Sequence, residues 1–419
     1  MTEWLRTGIF CVLAVAVSTA AVLVDPGRRT SGIFDDQGEP FYPEFADPQA
    51  PKTIEVIDYD EATATASPLK VEFKDSKWGI PSHHDYPADA ENRLADTAAA
   101  LMALRKDIVV SERIEDHGRY GVIDPLDDRT ASLAGRGKRV TLKDENDRVL
   151  ADFVIGRPAE GKPGYRYMRV PTRRRTYSVK TDARVSSRFE DWIETDLLKL
   201  NAGDIRKITI NSYSINERLG RLENSERTVL TRRKDRWMMG RRRLRGKKID
   251  ALTEALDNLR IVDVQPKPEN LTRDLKTPEG IRLSMESVLS LRRKGFFITP
   301  IGQLLSNEGE ILVETANGIQ YTLRFGEVAP GGTAAPSGSS EKEGTEATGA
   351  GGTEERRYLF ITVDYSPARA RKYADGETPG DEGRTLEREL RHRFADWYYI
   401  ISGADFGNLR PSRRELTRG

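Results

Sequence analysis

Ala100-Leu101-Met102-Ala103-Leu104-Arg105 returns as Ala255-Leu256-Asp257-Asn258-Leu259-Arg260. Farther along, Arg188-Phe189-Glu190-Asp191-Trp192 returns as Arg393-Phe394-Ala395-Asp396-Trp397. Two recurrences in the same order point to a body built from one unit copied once. At 419 residues the chain has room for two cores, so composition and repeat agree.

Around Ala100 the pattern is that of an amphipathic helix. Leu94, Ala98 and Leu101 recur at helical spacing from about Pro87 to Arg105, and proline is tolerated in a first turn. The second copy repeats the stripe through Ile249, Leu252, Leu256 and Leu259. Before each helix comes a strand pair closed by a tryptophan: Thr53–Tyr59 and Leu69–Phe73 with Trp78, then Ile205–Ile210 with Trp237. After each helix the period changes to strands. Arg139–Lys143 and Arg148–Ile155 flank Asp144–Asp147, and Ile311–Ala316 and Ile319–Phe325 flank Asn317-Gly318, read as a type I′ turn. Both second strands end at a glycine, Gly156 and Gly326. Next follow Tyr165–Val170 with Thr176–Val179, and Tyr358–Val363. Short helices holding Phe189 with Trp192, and Phe394 with Trp397, are expected to close the copies.

A strand pair, a helix and a meander give an antiparallel sheet with one covering helix, hence an α+β class. The segment Ile9–Val24 carries no charge and, with Trp4 and Leu5, approaches the ~20 residues of a spanning helix. It is read as a transmembrane anchor at 1–25, with a cleaved signal peptide as the alternative. Residues 26–52 read as a stalk whose aromatics dock on the body, 53–203 as the first repeat and 204–406 as the second. Gly, Ser, Thr and Glu dominate 329–356, which is expected to be a disordered insertion; 407–419 reads as a basic tail.

With 67 basic and 66 acidic residues, the net charge of +1 creates no global field for a polyanion. Cys11 is the one cysteine, which rules out a disulfide framework and a cysteine zinc site within the chain. No P-loop, nucleophile elbow or zinc-protease signature is present. His83 and His84 beside Asp85, and the Asp124, Asp127 and Asp128 group, lack ligand spacing and read as turn residues. Catalytic residues, metal and cofactor are therefore all expected to be none. The contact candidates are cationic: Arg173, Arg174 and Arg175 at a hairpin tip, and Arg241, Arg242, Arg243 and Arg245 within the basic run 232–248.

The order of a Trp-closed hairpin, a helix ending Ala-Leu-x-x-Leu-Arg, Tyr120-Gly121-Val122 with Asp124-Pro125, and a strand ending Val154-Ile155-Gly156 resembles the domain of unknown function 4340 family. The resemblance covers residues 53–200 well and the second copy less well. It implies a membrane-anchored, non-enzymatic bacterial envelope protein, an accessory of a gliding-motility-type ABC transporter. The very short tail ahead of the apolar segment reads as an export signal, which puts the body on the periplasmic side of the inner membrane. The expected partners are thus membrane lipid through the N-terminal helix and subunits of such a complex, without nucleic acid. Two alternatives remain: an envelope protein binding or hydrolysing a glycan or small ligand in a cleft between repeats, and nucleic-acid or anionic-lipid binding through 232–248.

Overall fold

The computed structural model describes residues 36–216, 221–233, 236–244, 246–271, 283–299, 302–330, 355–374 and 381–417. In the first copy the strands are β1 (Thr53–Asp60), β2 (Thr65–Lys74), β3 (Lys77–Ile80), β4 (Tyr86–Pro87), β5 (Ile108–Ser111), β6 (Lys138–Lys143), β7 (Val149–Pro158), β8 (Tyr165–Arg169) and β9 (Thr176–Lys180). Helix α1 (Glu91–Met102) precedes β5, and α2 (His117–Tyr120) follows it. The second copy holds β10 (Ile205–Asn216), β11 (Arg221–Arg233), β12 (Arg236–Met239), β13 (Arg242–Arg243), α3 (Lys247–Asp257), β14 (Asp263–Pro266) and α4 (Met285–Arg293). A hairpin of β15 (Phe296–Ile298) and β16 (Leu304–Ser306) comes next, then β17 (Glu310–Thr315), β18 (Ile319–Ala329) and β19 (Arg356–Tyr365). Helices α5 (Pro367–Tyr373) and α6 (Glu382–Arg393), strand β20 (Trp397–Ser402), and helices α7 (Gly403–Leu409) and α8 (Arg413–Thr417) complete it.

The two large sheets have the same strand order. One runs β4-β3-β2-β1-β6-β7-β8-β9-β5 and the other β13-β12-β11-β10-β17-β18-β19-β20-β14. Copying extends to the register. Val56 faces Val140, which faces Phe153; at the matching places Ile210 faces Ile311, which faces Leu323. All six are buried apolar residues. A bulge falls just after Ile155 in β7 and just after Phe325 in β18, immediately before or at Gly156 and Gly326. By chain contacts the protein divides into Met1–Phe73 with Glu91–Ser187, the first unit, and Lys74–Ala90 with Arg188–Gly419, the second.

Alternation explains the first core. Every second residue of a strand shares a face, so Ile54 and Val56 line up with Val71, Leu69, Leu142 and Val140. Phe41 and Tyr42 of the stalk pack edge-on to Phe153 at 5.3 Å each, and the Tyr42 hydroxyl donates to the Asp152 carbonyl at 2.6 Å. In the second unit α3 buries Ile249, Leu252 and Leu256, and packs on α7.

Several expectations need correction. The class is not an α+β body behind a membrane helix: two large antiparallel sheets dominate, with few helices, and no helix among the described residues is long and apolar enough to cross a membrane. The anchor expected at 1–25 and the first part of the stalk lie outside the described residues. A single-pass inner-membrane location accordingly has no membrane-crossing helix among the described residues to rest on. Most of the insertion expected at 329–356 also lies outside them, and its flanks are strand, with Ala329 paired to Arg356. The supposed basic tail is largely α7 and α8, which bury Leu409 and Leu416.

The Phe/Trp pentapeptides are not equivalent. Phe189 lies in a short 3-10 turn after β9, whereas Trp397 opens β20, the counterpart of β9. What joins them is Tyr86, whose ring meets Phe189 at 5.5 Å and Trp397 at 5.2 Å within the second unit. Nor is Ala316-Asn317-Gly318 a type I′ turn. Only Gly318 has positive φ, and its N–H reaches the Thr315 carbonyl at 3.1 Å, the pattern of a type I turn followed by a left-handed residue. Asp147 takes the same left-handed place in the first copy.

Candidate functional site

β8 and β9 set one polar group on the sheet face opposite the Phe153 core. Arg169 stands directly across from Thr176, and Tyr167 from Ser178, so the four side chains share a face. That face would read as solvent-exposed from its alternation. Instead Arg169 is 6 % exposed, Thr176 0 % and Ser178 2 %.

Carbonyl groups surround the guanidinium. Arg169 Nε donates to the Val122 carbonyl at 3.0 Å, and Nη1 donates to those of Pro171 at 2.8 Å and Arg173 at 3.1 Å. These come from the segment after α2 and from the β8–β9 turn. Burial disfavours the charged guanidinium, and the more distant Asp124 carboxylate offsets part of that cost. His117, equally buried, places Nε2 2.8 Å from the Arg174 carbonyl. A carbonyl only accepts, so Nε2 carries the proton; burial lowers the imidazole pKa and favours the neutral ring.

Beside this group lies an ion-paired lattice on the same face. Arg139 holds Asp152 through Nε at 3.1 Å and Nη2 at 2.8 Å, and reaches Asp124 through Nη1 at 2.9 Å. Thr141 Oγ1 adds a bond to Asp152 at 3.1 Å. Both nearby carboxylates are thus engaged by Arg139. By contrast, Thr176 Oγ1 and Ser178 Oγ are buried without a hydrogen-bond partner among the described residues. Such hydroxyls each forfeit about 1–3 kcal/mol of hydration.

The second unit supplies an internal comparison. Gly156 is a glycine because a Cβ there would overlap the Tyr120 carbonyl and come 2.7 Å from Val122 Cγ1; at Gly326 it would overlap the Lys294 carbonyl and come 2.7 Å from Phe296 Cζ. The two contacts align Tyr120-Gly121-Val122 with Lys294-Gly295-Phe296, both with a left-handed central glycine. Counting from them, His117 corresponds to Leu291, Arg169 to Phe360, Thr176 to Tyr398 and Ser178 to Ile400. In the second unit these positions form an apolar cluster with Phe296 and Tyr358. One topology thus carries a polar interior here and a hydrophobic one there.

The expected contact residues are dispersed. Arg173 and Arg174 are exposed at the β8–β9 tip, while Arg175 pairs with Glu112 at 2.6 Å and Asp36 at 3.5 Å. Arg241 is exposed in the β12–β13 turn, Arg242 donates to the Thr417 carbonyl at 2.7 Å, and Arg243 faces Met238 across β12–β13. Arg245 lies outside the described residues. Asp124 does more than shape a turn, since it accepts from both the Leu126 N–H and Arg139. Among the described residues no group of three or more His, Cys, Asp or Glu is placed to hold a metal ion. Sequence reasoning missed Arg169, Thr176, Ser178 and His117. Their one signal is a weak one: Thr176-Tyr177-Ser178-Val179 alternates cleanly, which marks a strand face without showing that it is covered.

The profile of a family described as Domain of unknown function (DUF4340) matches residues 78–278. The matched stretch begins at β3 and passes β14, so it reaches into the second copy and starts later than the 53–200 expected. No curated protein and no solved structure matches the chain.

Proposed function

We propose that the protein is a non-enzymatic accessory subunit whose two sheet modules hold neighbouring macromolecules in a larger assembly. The duplicated strand order carries this reading. A module copied once and then changed on one face, with its core register kept, is suited to two different contacts on one chain. Exposed cations and apolar loop residues supply contact chemistry: Arg173 and Arg174 at one tip, Arg236 beside the β11–β12 turn, Arg241 in the β12–β13 turn, and Ile114, Leu126 and Leu133 between β5 and β6. Complementary charge at such points sets partner choice and association rate. The ABC-type complex implied by the family resemblance is the first partner to test.

Nucleic acid is less favoured. Trp237, the aromatic within the basic run, is half-buried rather than presented for stacking, and Arg242 is tied to the C-terminal helix. The test is quantitative cross-linking of the tagged full chain in its native cell, beside variants Arg173→Glu/Arg174→Glu and Arg236→Glu/Arg241→Glu. At least one pair is expected to reduce recovery of a defined partner about ten-fold. Recovery of the same partners in the same amounts by both variants would refute the reading.

A further inference from the structure

We infer that the first unit binds a small oxyanion, a phosphate- or carboxylate-type group, at Arg169, Thr176 and Ser178. The inventory of unused groups points there. Among the described residues Arg169 is a buried cation whose hydrogen bonds, from Nε and Nη1, all go to neutral carbonyls. Across the ladder from it, Thr176 brings a hydroxyl proton without an acceptor, and Ser178 brings a second from two residues along β9. A group that accepts hydrogen bonds from both hydroxyls and carries negative charge beside the guanidinium would complete the set. Asp124 and Asp152 act on Arg169 only at a distance, since both carboxylates accept from Arg139 instead.

The fold does not impose this arrangement. Phe360, Tyr398, Ile400 and Leu291 fill the corresponding positions of the second unit with apolar contact. Arg169 and His117 are satisfied by backbone carbonyls, but replacing Tyr398 and Ile400 by buried hydroxyls costs stability unless a ligand accepts from them. Oxyanion geometry suits the set, because a guanidinium edge and hydroxyl donors are the groups that recognise phosphate and carboxylate. The inference is separate from the accessory reading: partner recovery can fail while anion binding holds, and the reverse.

The experiment is thermal unfolding and calorimetric titration of the full-length protein with inorganic phosphate, sulfate and acetate in turn, against chloride at matched ionic strength. Phosphate and sulfate together, or acetate alone, separate the two sources of the chemistry. At least one is expected to raise the unfolding temperature with a saturable dose dependence. In Thr176→Val/Ser178→Ala, two partnerless hydroxyls are removed at little change in shape, so the variant should fold with unchanged or higher stability in chloride. Its anion affinity should fall on the order of ten-fold per hydroxyl. Arg169→Met should abolish binding; if it fails to fold, the hydroxyl pair decides. The inference is overturned if no anion exceeds chloride, or if the hydroxyl variant keeps wild-type affinity. A stabilised hydroxyl variant of a protein that no anion affects would also overturn it, since the pair would then be unsatisfied polar groups without any ligand.

Discussion

Replacing Gly326 by alanine tests the register on which the comparison of the two copies rests. The added Cβ would overlap the Lys294 backbone oxygen and stand 2.7 Å from Phe296 Cζ, with Phe296 itself fully buried. The oxygen would have to retreat by roughly 1 Å, and overpacking of this kind costs about 1–3 kcal/mol. That same oxygen accepts the Glu327 N–H at 2.9 Å, so the retreat also strains a hydrogen bond worth about 1 kcal/mol. A loss of about 2–4 kcal/mol is expected. Gly407 is the control. It lies exposed in α7 at an ordinary φ, with nothing within 4 Å of its added Cβ. There alanine should gain about 0.5–1 kcal/mol through the helical preference. Urea unfolding followed by tryptophan fluorescence reads both. Gly326→Ala within about 0.5 kcal/mol of wild type, or Gly407→Ala losing as much as Gly326→Ala, would show that the glycine contact does not anchor the alignment.

Two further outcomes follow from the polar face. His117 has its pKa lowered by burial, so the native state binds fewer protons than the unfolded chain near the ordinary value of 6.5. Its contribution to stability is present above that pH and is lost as pH falls through the lower folded value. His117→Leu, which installs the residue type found at Leu291, should flatten this acid limb; an unchanged slope of stability against pH would refute the assignment. Asp152→Asn leaves Arg139 with half of a bidentate partner and should cost about 1.5–3 kcal/mol, whereas a shift below about 0.5 kcal/mol would show the pair to be screened surface charge.

The local patterns were legible wherever one residue class repeats at a structural period. Leu94, Ala98 and Leu101 marked α1, and Leu252 with Leu256 marked α3, because a helix that buries one face writes that face into its spacing. The paired hairpins were readable for the same reason at period two, and Gly156 with Gly326 stood out because close backbone approach admits no side chain. Misreadings arose where similarity of letters stood in for position. The two Phe/Trp pentapeptides look like one motif, but Phe189 serves a turn and Trp397 a strand. Sequence identity over five residues carries no register, whereas buried cross-strand neighbours do.

The polar site was illegible for a different physical reason. Alternation reports that successive side chains point to opposite faces; it does not report which face a later segment covers. Thr176 and Ser178 satisfy the rule for an outward-facing strand face, and only the carbonyls delivered by Val122, Pro171 and Arg173 reveal that Arg169 beside them sits in an interior. In the second copy the same covering segment closes over Phe360 and Ile400 with apolar packing, and the Lys294 ammonium stands over the Tyr398 ring at 5.2 Å. Both copies therefore meet the geometric demands of the sheet, and the difference between them is free to answer a chemical demand. Since apolar filling is the less costly solution for a covered face, a buried cation beside two hydroxyls without acceptors is where the first copy departs from that solution, and where the proposed anion would restore the balance.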